Sequence, residues 1–152
     1  MVDILHRIGT KAPLSKVYRA VSTVEGVAGW WTPETSGSSK VGESIQVHFR
    51  APGGEDLDAM TFQVTALEPD KKVQWRCTAG PKEWIGTDVV FDLHRDGEYT
   101  ILLFGHKNWR EAVEFTHHCS TKWAVFMMSL KELVETGKGK PSPQEPKIDN
   151  WN

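Results

Sequence analysis

The feature that most constrains this chain is a helical pattern near its end. Phe115, Cys119, Trp123, Phe126, Leu130 and Val134 recur at three- and four-residue steps, the spacing of one face of a helix. The pattern predicts a single long helix from Ala112 to Glu135, with Gly137 as its C-cap. A stripe of that length must be buried against something.

The segments before it supply the surface, because they alternate with period two. "SIQVHFR" puts Ile45, Val47 and Phe49 on one face, and "MTFQVTALE" does the same with Met60, Phe62 and Val64. "KVQWRCT" aligns Val73, Trp75 and Cys77, and "IGTDVVFDLHR" sets Thr87, Val89, Phe91 and Leu93 opposite Asp88, Asp92 and His94. Asp88, Asp92, His94 and Arg95 read as a solvated face. Asp96-Gly97 is the strongest hairpin signal in the chain. "EYTILLFGH" is apolar on both faces and reads as a central or doubly covered strand. Alternation elsewhere implies an antiparallel sheet with one dry and one wet face.

The first thirty residues add a strand and two short helices. "VDILHRIGT" alternates, with Val2, Ile4, His6 and Ile8 on one face. "APLSKVYRAVS" then carries Leu14, Val17, Tyr18 and Val21 at helical spacing. Thr23 is an N-cap for a second helix whose stripe is Val24, Val27, Ala28 and Trp31, and Thr32-Pro33 ends it. Trp30 falls about 100° round from Trp31 and is expected to be a partly exposed shield at a cavity mouth.

The expected fold is α+β in two layers. A curved antiparallel sheet of about six strands wraps round the long C-terminal helix, with two short helices after the first strand. Residues 1–139 form one domain, and the Pro-rich residues 140–152 read as an extended or partly disordered tail. A curved sheet gripping one helix leaves a cavity between them, where a ligand would sit.

Composition narrows the function. Lys plus Arg number 18 against 20 Asp plus Glu, a net charge of −2, with no basic tract, which argues against a nucleic-acid or anionic-membrane footprint. No apolar run approaches membrane-spanning length, and the opening residues lack a charged-then-apolar leader. Two cysteines, Cys77 and Cys119, do not make a secreted disulfide framework, so a cytoplasmic location with reduced thiols is expected. Seven tryptophans call for a large aromatic interior.

Four stretches carry a family resemblance: "AP…KVYRAVST", "GWWTPE" followed by "VGE", "LEPDKKVQWRC", and "STKWAVFMMSLKELVETGKG". They resemble the START-like, helix-grip superfamily (SRPBCC, which includes the birch-pollen-allergen fold), and within it the activator of heat-shock-protein-90 ATPase homologue family. The resemblance runs from Ile4 to Gly139. The chain departs from the family in having "DGEYT" where a Gly-Gly-Thr turn is common, and Lys122 before Trp123. The family includes small-molecule binders, lipid or hormone carriers, cyclases and chaperone activators.

The leading expectation is therefore a domain that binds a hydrophobic or amphipathic small molecule, with no cofactor. Trp30, Trp31, Trp75, Phe91, Cys119, Trp123, Phe126, Met127 and Leu130 are the expected lining, on the inward faces of sheet and helices. His106, on the parity of Thr100, Leu102 and Phe104, is the expected polar group at the pocket's end. One alternative is a cyclase- or hydrolase-type enzyme using His106 as acid or base. Another is a chaperone-activator-like interaction module with an apolar patch at Trp30 and Trp151, through which a homodimer could also form. His117, His118 and Cys119 are consecutive, so they splay round the helix and do not converge on a metal.

Overall fold

The computed structural model covers residues 1–152. Strand β1 (Val2–Thr10) leads into α1 (Leu14–Ser22) and α2 (Val24–Trp30). Six strands follow: β2 (Thr35–Gly37), β3 (Ser44–Arg50), β4 (Asp56–Glu68), β5 (Lys72–Ala79), β6 (Asp88–Asp96) and β7 (Tyr99–Trp109). The chain then forms α3 (Glu114–Thr136). All seven strands join one antiparallel sheet in the order β1-β7-β6-β5-β4-β3-β2. The strand beyond the expected six is β2, only three residues long and paired to β3 at Thr35–Val47, too short for a period-two pattern to register.

Local chemistry accounts for the element ends. The Thr23 hydroxyl accepts the Gly26 N–H at 2.9 Å, capping α2. Gly137 takes left-handed backbone (φ 87°) after α3, and its N–H donates to the Leu133 carbonyl. In the β6–β7 hairpin Asp96 pairs with Tyr99, so the two loop residues are Gly97 and Glu98. Gly97 takes a φ of 60° at the first loop position, where a type II′ turn needs glycine.

The dry face of the sheet packs on α3, which buries Cys119, Trp123, Phe126, Met127, Leu130 and Val134. Strand β7 is central in pairing, between β1 and β6, but it is not covered on both faces throughout: Leu103 is 41% exposed. Two expectations about exposure are overturned. Trp30 is fully buried, stacked on Trp31 with ring centroids 5.8 Å apart. Its indole N–H donates to the Ala20 carbonyl at 2.9 Å, because α1 folds back over α2. Asp88 is buried although it faces outward. It accepts from Arg76 Nε at 3.1 Å and Asn108 Nδ2 at 2.7 Å, and those two side chains exclude water from it.

Residues 140–152 carry no helix or strand and run antiparallel along α3. The Lys140 N–H donates to Ser129 Oγ (2.8 Å) and the Ser142 N–H to the Trp31 carbonyl (2.7 Å). Further along, Lys122 Nζ donates to the main-chain oxygens of Pro146 (3.3 Å) and Asn152 (2.7 Å), and Trp151 packs on Phe115 and His118. The crossing depends on Gly139. A Cβ there would lie 2.7 Å from the Gly29 oxygen and 2.8 Å from the Ser129 oxygen, closer than real contacts allow.

Candidate functional site

A cavity of about 630 Å³ lies beside the N-terminal half of α3. Its walls come from five places. Helix α3 supplies Phe115, Cys119, Trp123 and Phe126, and the end of α2 supplies Trp31. The β3–β4 hairpin adds Phe49, Leu57 and Met60, and the β5–β6 loop adds Pro81 and Trp84. The C-terminal segment closes one side with Ser142, Glu145 and Trp151. Leu57 and Trp151, about half exposed, mark where the cavity meets solvent.

The aromatic walls support one another. Trp123 stacks on Trp84 at 5.9 Å between centroids and tilts against Trp31 at 5.0 Å. Trp31 in turn stacks on Trp75 at 6.2 Å. These rings hold one another in place by packing.

His106 sits behind this wall, fully buried, and does not line the cavity. Its Nδ1 accepts the Trp123 indole N–H at 3.0 Å, and its Nε2 lies 2.8 Å from the Thr87 hydroxyl. Burial pushes its pKa down to about 3 against a weaker upward pull from Asp88. An imidazole so held is neutral at physiological pH and has no path to a ligand. The thiols are equally quiet. Burial pushes Cys77 up to about 11 and Cys119 to about 12, so neither supplies a thiolate.

Two of the cavity's charged groups, Lys122 and Glu145, meet where the C-terminal segment crosses α3. Burial lowers the Lys122 pKa and raises that of Glu145, each opposed by the charge of the other. Their charged atoms are 3.9 Å apart. The Trp84 indole N–H is buried beside the Cys119 sulfur and has no oxygen or nitrogen acceptor.

Residues 11–135 match the family described as Activator of Hsp90 ATPase homolog 1-like protein. The chain belongs to this family. It therefore carries the START-like helix-grip fold, with a seven-stranded sheet round α3. The solution structure of the Aha1 dimer from Colwellia psychrerythraea is similar at 44% identity and a TM-score of 0.76, covering 91% of this chain and 100% of that one. Two further structures share the fold. CalU16 from Micromonospora echinospora is 17% identical with a TM-score of 0.72, over 93% of this chain and 77% of that one. DynU16, a protein of the dynemicin biosynthetic locus, is 22% identical with a TM-score of 0.74, over 90% of this chain and 48% of that one. No curated protein matches the sequence.

Of the ten residues expected at the site, Trp31, Cys119, Trp123 and Phe126 line the cavity. Trp30, Trp75, Phe91, His106, Met127 and Leu130 form the packed layer beneath it. Phe49, Trp84, Phe115, Lys122, Glu145 and Trp151 were not expected there. Trp84 did leave a signal: a lone indole in a Pro- and Gly-containing loop must find a partner surface. Glu145 left none, because its placement depends on the path of the C-terminal segment. The patch expected at Trp30 and Trp151 does not exist, since Trp30 is buried and Trp151 borders the cavity.

Proposed function

We propose that this family member binds a hydrophobic or amphipathic small molecule in the cavity beside α3, in the cytoplasm. The observation that carries this is the 630 Å³ space walled by Trp31, Trp84, Trp123 and Phe126. Aromatic walls interrupted by polar groups suit an apolar or amphipathic ligand. Trp31, Cys119, Trp123 and Phe126 are the proposed contacts. The acid–base alternative through His106 loses its group, because that ring is neutral and walled off. Native mass spectrometry of the protein purified from its own cells tests the proposal. A reproducible bound mass that is lost on denaturation supports it. A clean apo mass, together with no uptake of a neutral apolar dye such as Nile red, rules it out.

A second reading comes from the Colwellia relative, described as an Aha1 dimer. We propose self-association and stimulation of a chaperone ATPase as the alternative function. Light scattering that gives a monomer mass, with no ATPase stimulation, eliminates it.

A further inference from the structure

The C-terminal side of the cavity holds a charge arrangement that packing alone does not require. Glu145 lines the cavity with a side chain only 3% exposed; the Ser142 side chain hydrogen-bonds its carboxyl group, but Oε2 has no hydrogen-bond partner. Lys122 does not satisfy it. Its nitrogen is 3.9 Å from Oε1, beyond hydrogen-bond distance, and donates instead to the Pro146 and Asn152 main-chain oxygens. A buried carboxylate oxygen without a donor is costly, and such an exception calls for a specific explanation.

The surroundings say what would complete it. Asp58 and Glu83 also line the cavity, giving three carboxylates with Glu145 against the single ammonium of Lys122. His118, on the same wall, is taken by Asp149 at 2.7 Å. The aromatic faces present the negative side of their quadrupoles, which attracts cations. One cation already uses such a face: Lys122 Nζ stands 5.8 Å from the centroid of the Phe126 ring. An anionic ligand would meet Glu145 directly and be repelled.

We propose that the cavity takes a cationic amphiphile, an aryl- or alkyl-amine whose ammonium donates to Glu145 Oε2 while its apolar body lies on Trp84, Trp123 and Phe126. This rests on the cavity being a ligand site. The C-terminal segment thereby sets head-group specificity, and α3 with the β5–β6 loop holds the apolar body.

The test uses three probes with one apolar body, phenylbutylamine, phenylbutanol and phenylbutyrate, titrated into the full chain by calorimetry. The amine should bind at least about tenfold more tightly than the alcohol, as a charge-assisted hydrogen bond implies, and the carboxylate should bind weakest. Glu145→Gln, which keeps the side-chain volume, should erase the amine's advantage and leave the alcohol's affinity within about twofold. Near-UV circular dichroism checks that the variant keeps its aromatic packing, and the wild-type series stands without it. Equal binding of all three, or a preference for the carboxylate, overturns the amine proposal and leaves the cavity a ligand site. Binding of none of them overturns the amine proposal, while native mass spectrometry and Nile red uptake decide separately whether the cavity is a ligand site.

Discussion

The Trp123 indole N–H donates to His106 Nδ1 across 3.0 Å, with both side chains buried. An indole nitrogen can only donate, so Nδ1 carries no proton. The other nitrogen then carries it and donates to Thr87 Oγ1, while the Thr87 hydroxyl donates to the Trp84 carbonyl at 2.5 Å. This chain of donors ties α3, β7 and the β5–β6 loop together behind the cavity, and it assigns the histidine a structural role.

That assignment predicts a pH dependence. An unfolded imidazole titrates near 6.5 and His106 in the folded state at about 3. The unfolded chain therefore binds more protons between those values, and stability falls as pH drops from about 6.5 towards 3. The slope from this group is at most about 1.4 kcal/mol per pH unit. Urea unfolding at neutral and mildly acidic pH should show His106→Gln less stable at neutral pH by about 1–3 kcal/mol, with a shallower loss on acidification. A His106 NMR signal titrating near its ordinary value would mean that the Trp123 bond is not made.

The paired tryptophans should separate in their effects. Trp30→Phe removes the donor to the Ala20 carbonyl and should cost about 1–2 kcal/mol of stability while leaving Nile red binding unchanged. Trp31→Ala removes a wall of the cavity, so it should alter dye binding as well as costing about 3–5 kcal/mol. Equal effects of both variants on dye binding would contradict the placement of Trp30 behind the wall.

Both cysteines should resist alkylation. With pKa values of about 11 and 12, the thiolate fraction in mildly alkaline buffer is far below that of an unfolded thiol. Native protein should react with iodoacetamide at least about 100-fold more slowly than urea-unfolded protein. Mass spectrometry that finds Cys119 modified at the unfolded rate would show that the cavity activates it.

Asp88 should matter more than its outward-facing position suggests. Asp88→Ala leaves Arg76 and Asn108 without their acceptor, and the expected loss is about 1–3 kcal/mol in urea unfolding. A solvated carboxylate at the neighbouring outward position, Asp92, should lose under about 0.5 kcal/mol on the same change.

The C-terminal segment should detach when its anchor is removed. Ser129 Oγ donates to the Trp30 carbonyl and accepts from the Lys140 N–H. Ser129→Ala should raise hydrogen-exchange rates across residues 140–152 while those of β5–β7 stay protected. Unchanged exchange in the segment would show that Ser142 and Lys122 hold it unaided.

Periodicity and capping residues by themselves determined the architecture apart from the short strand β2. The period-two strands, the α3 stripe, the Thr23 cap and Gly137 are local patterns, and each acts within a few residues of itself. Only the tertiary structure decided which inward-facing side chains border empty space. Trp31 and Trp75 both face inward, yet one lines the cavity and the other lies beneath it. That difference depends on where the β5–β6 loop places Trp84 and where the C-terminal segment places Glu145. Both are irregular chain with no period to read, and their positions follow from long-range contacts, such as the Ser142 N–H to the Trp31 carbonyl. Asp88 obeys the same logic. Alternation set its face, but only the neighbouring Arg76 and Asn108 decided that water would not reach it.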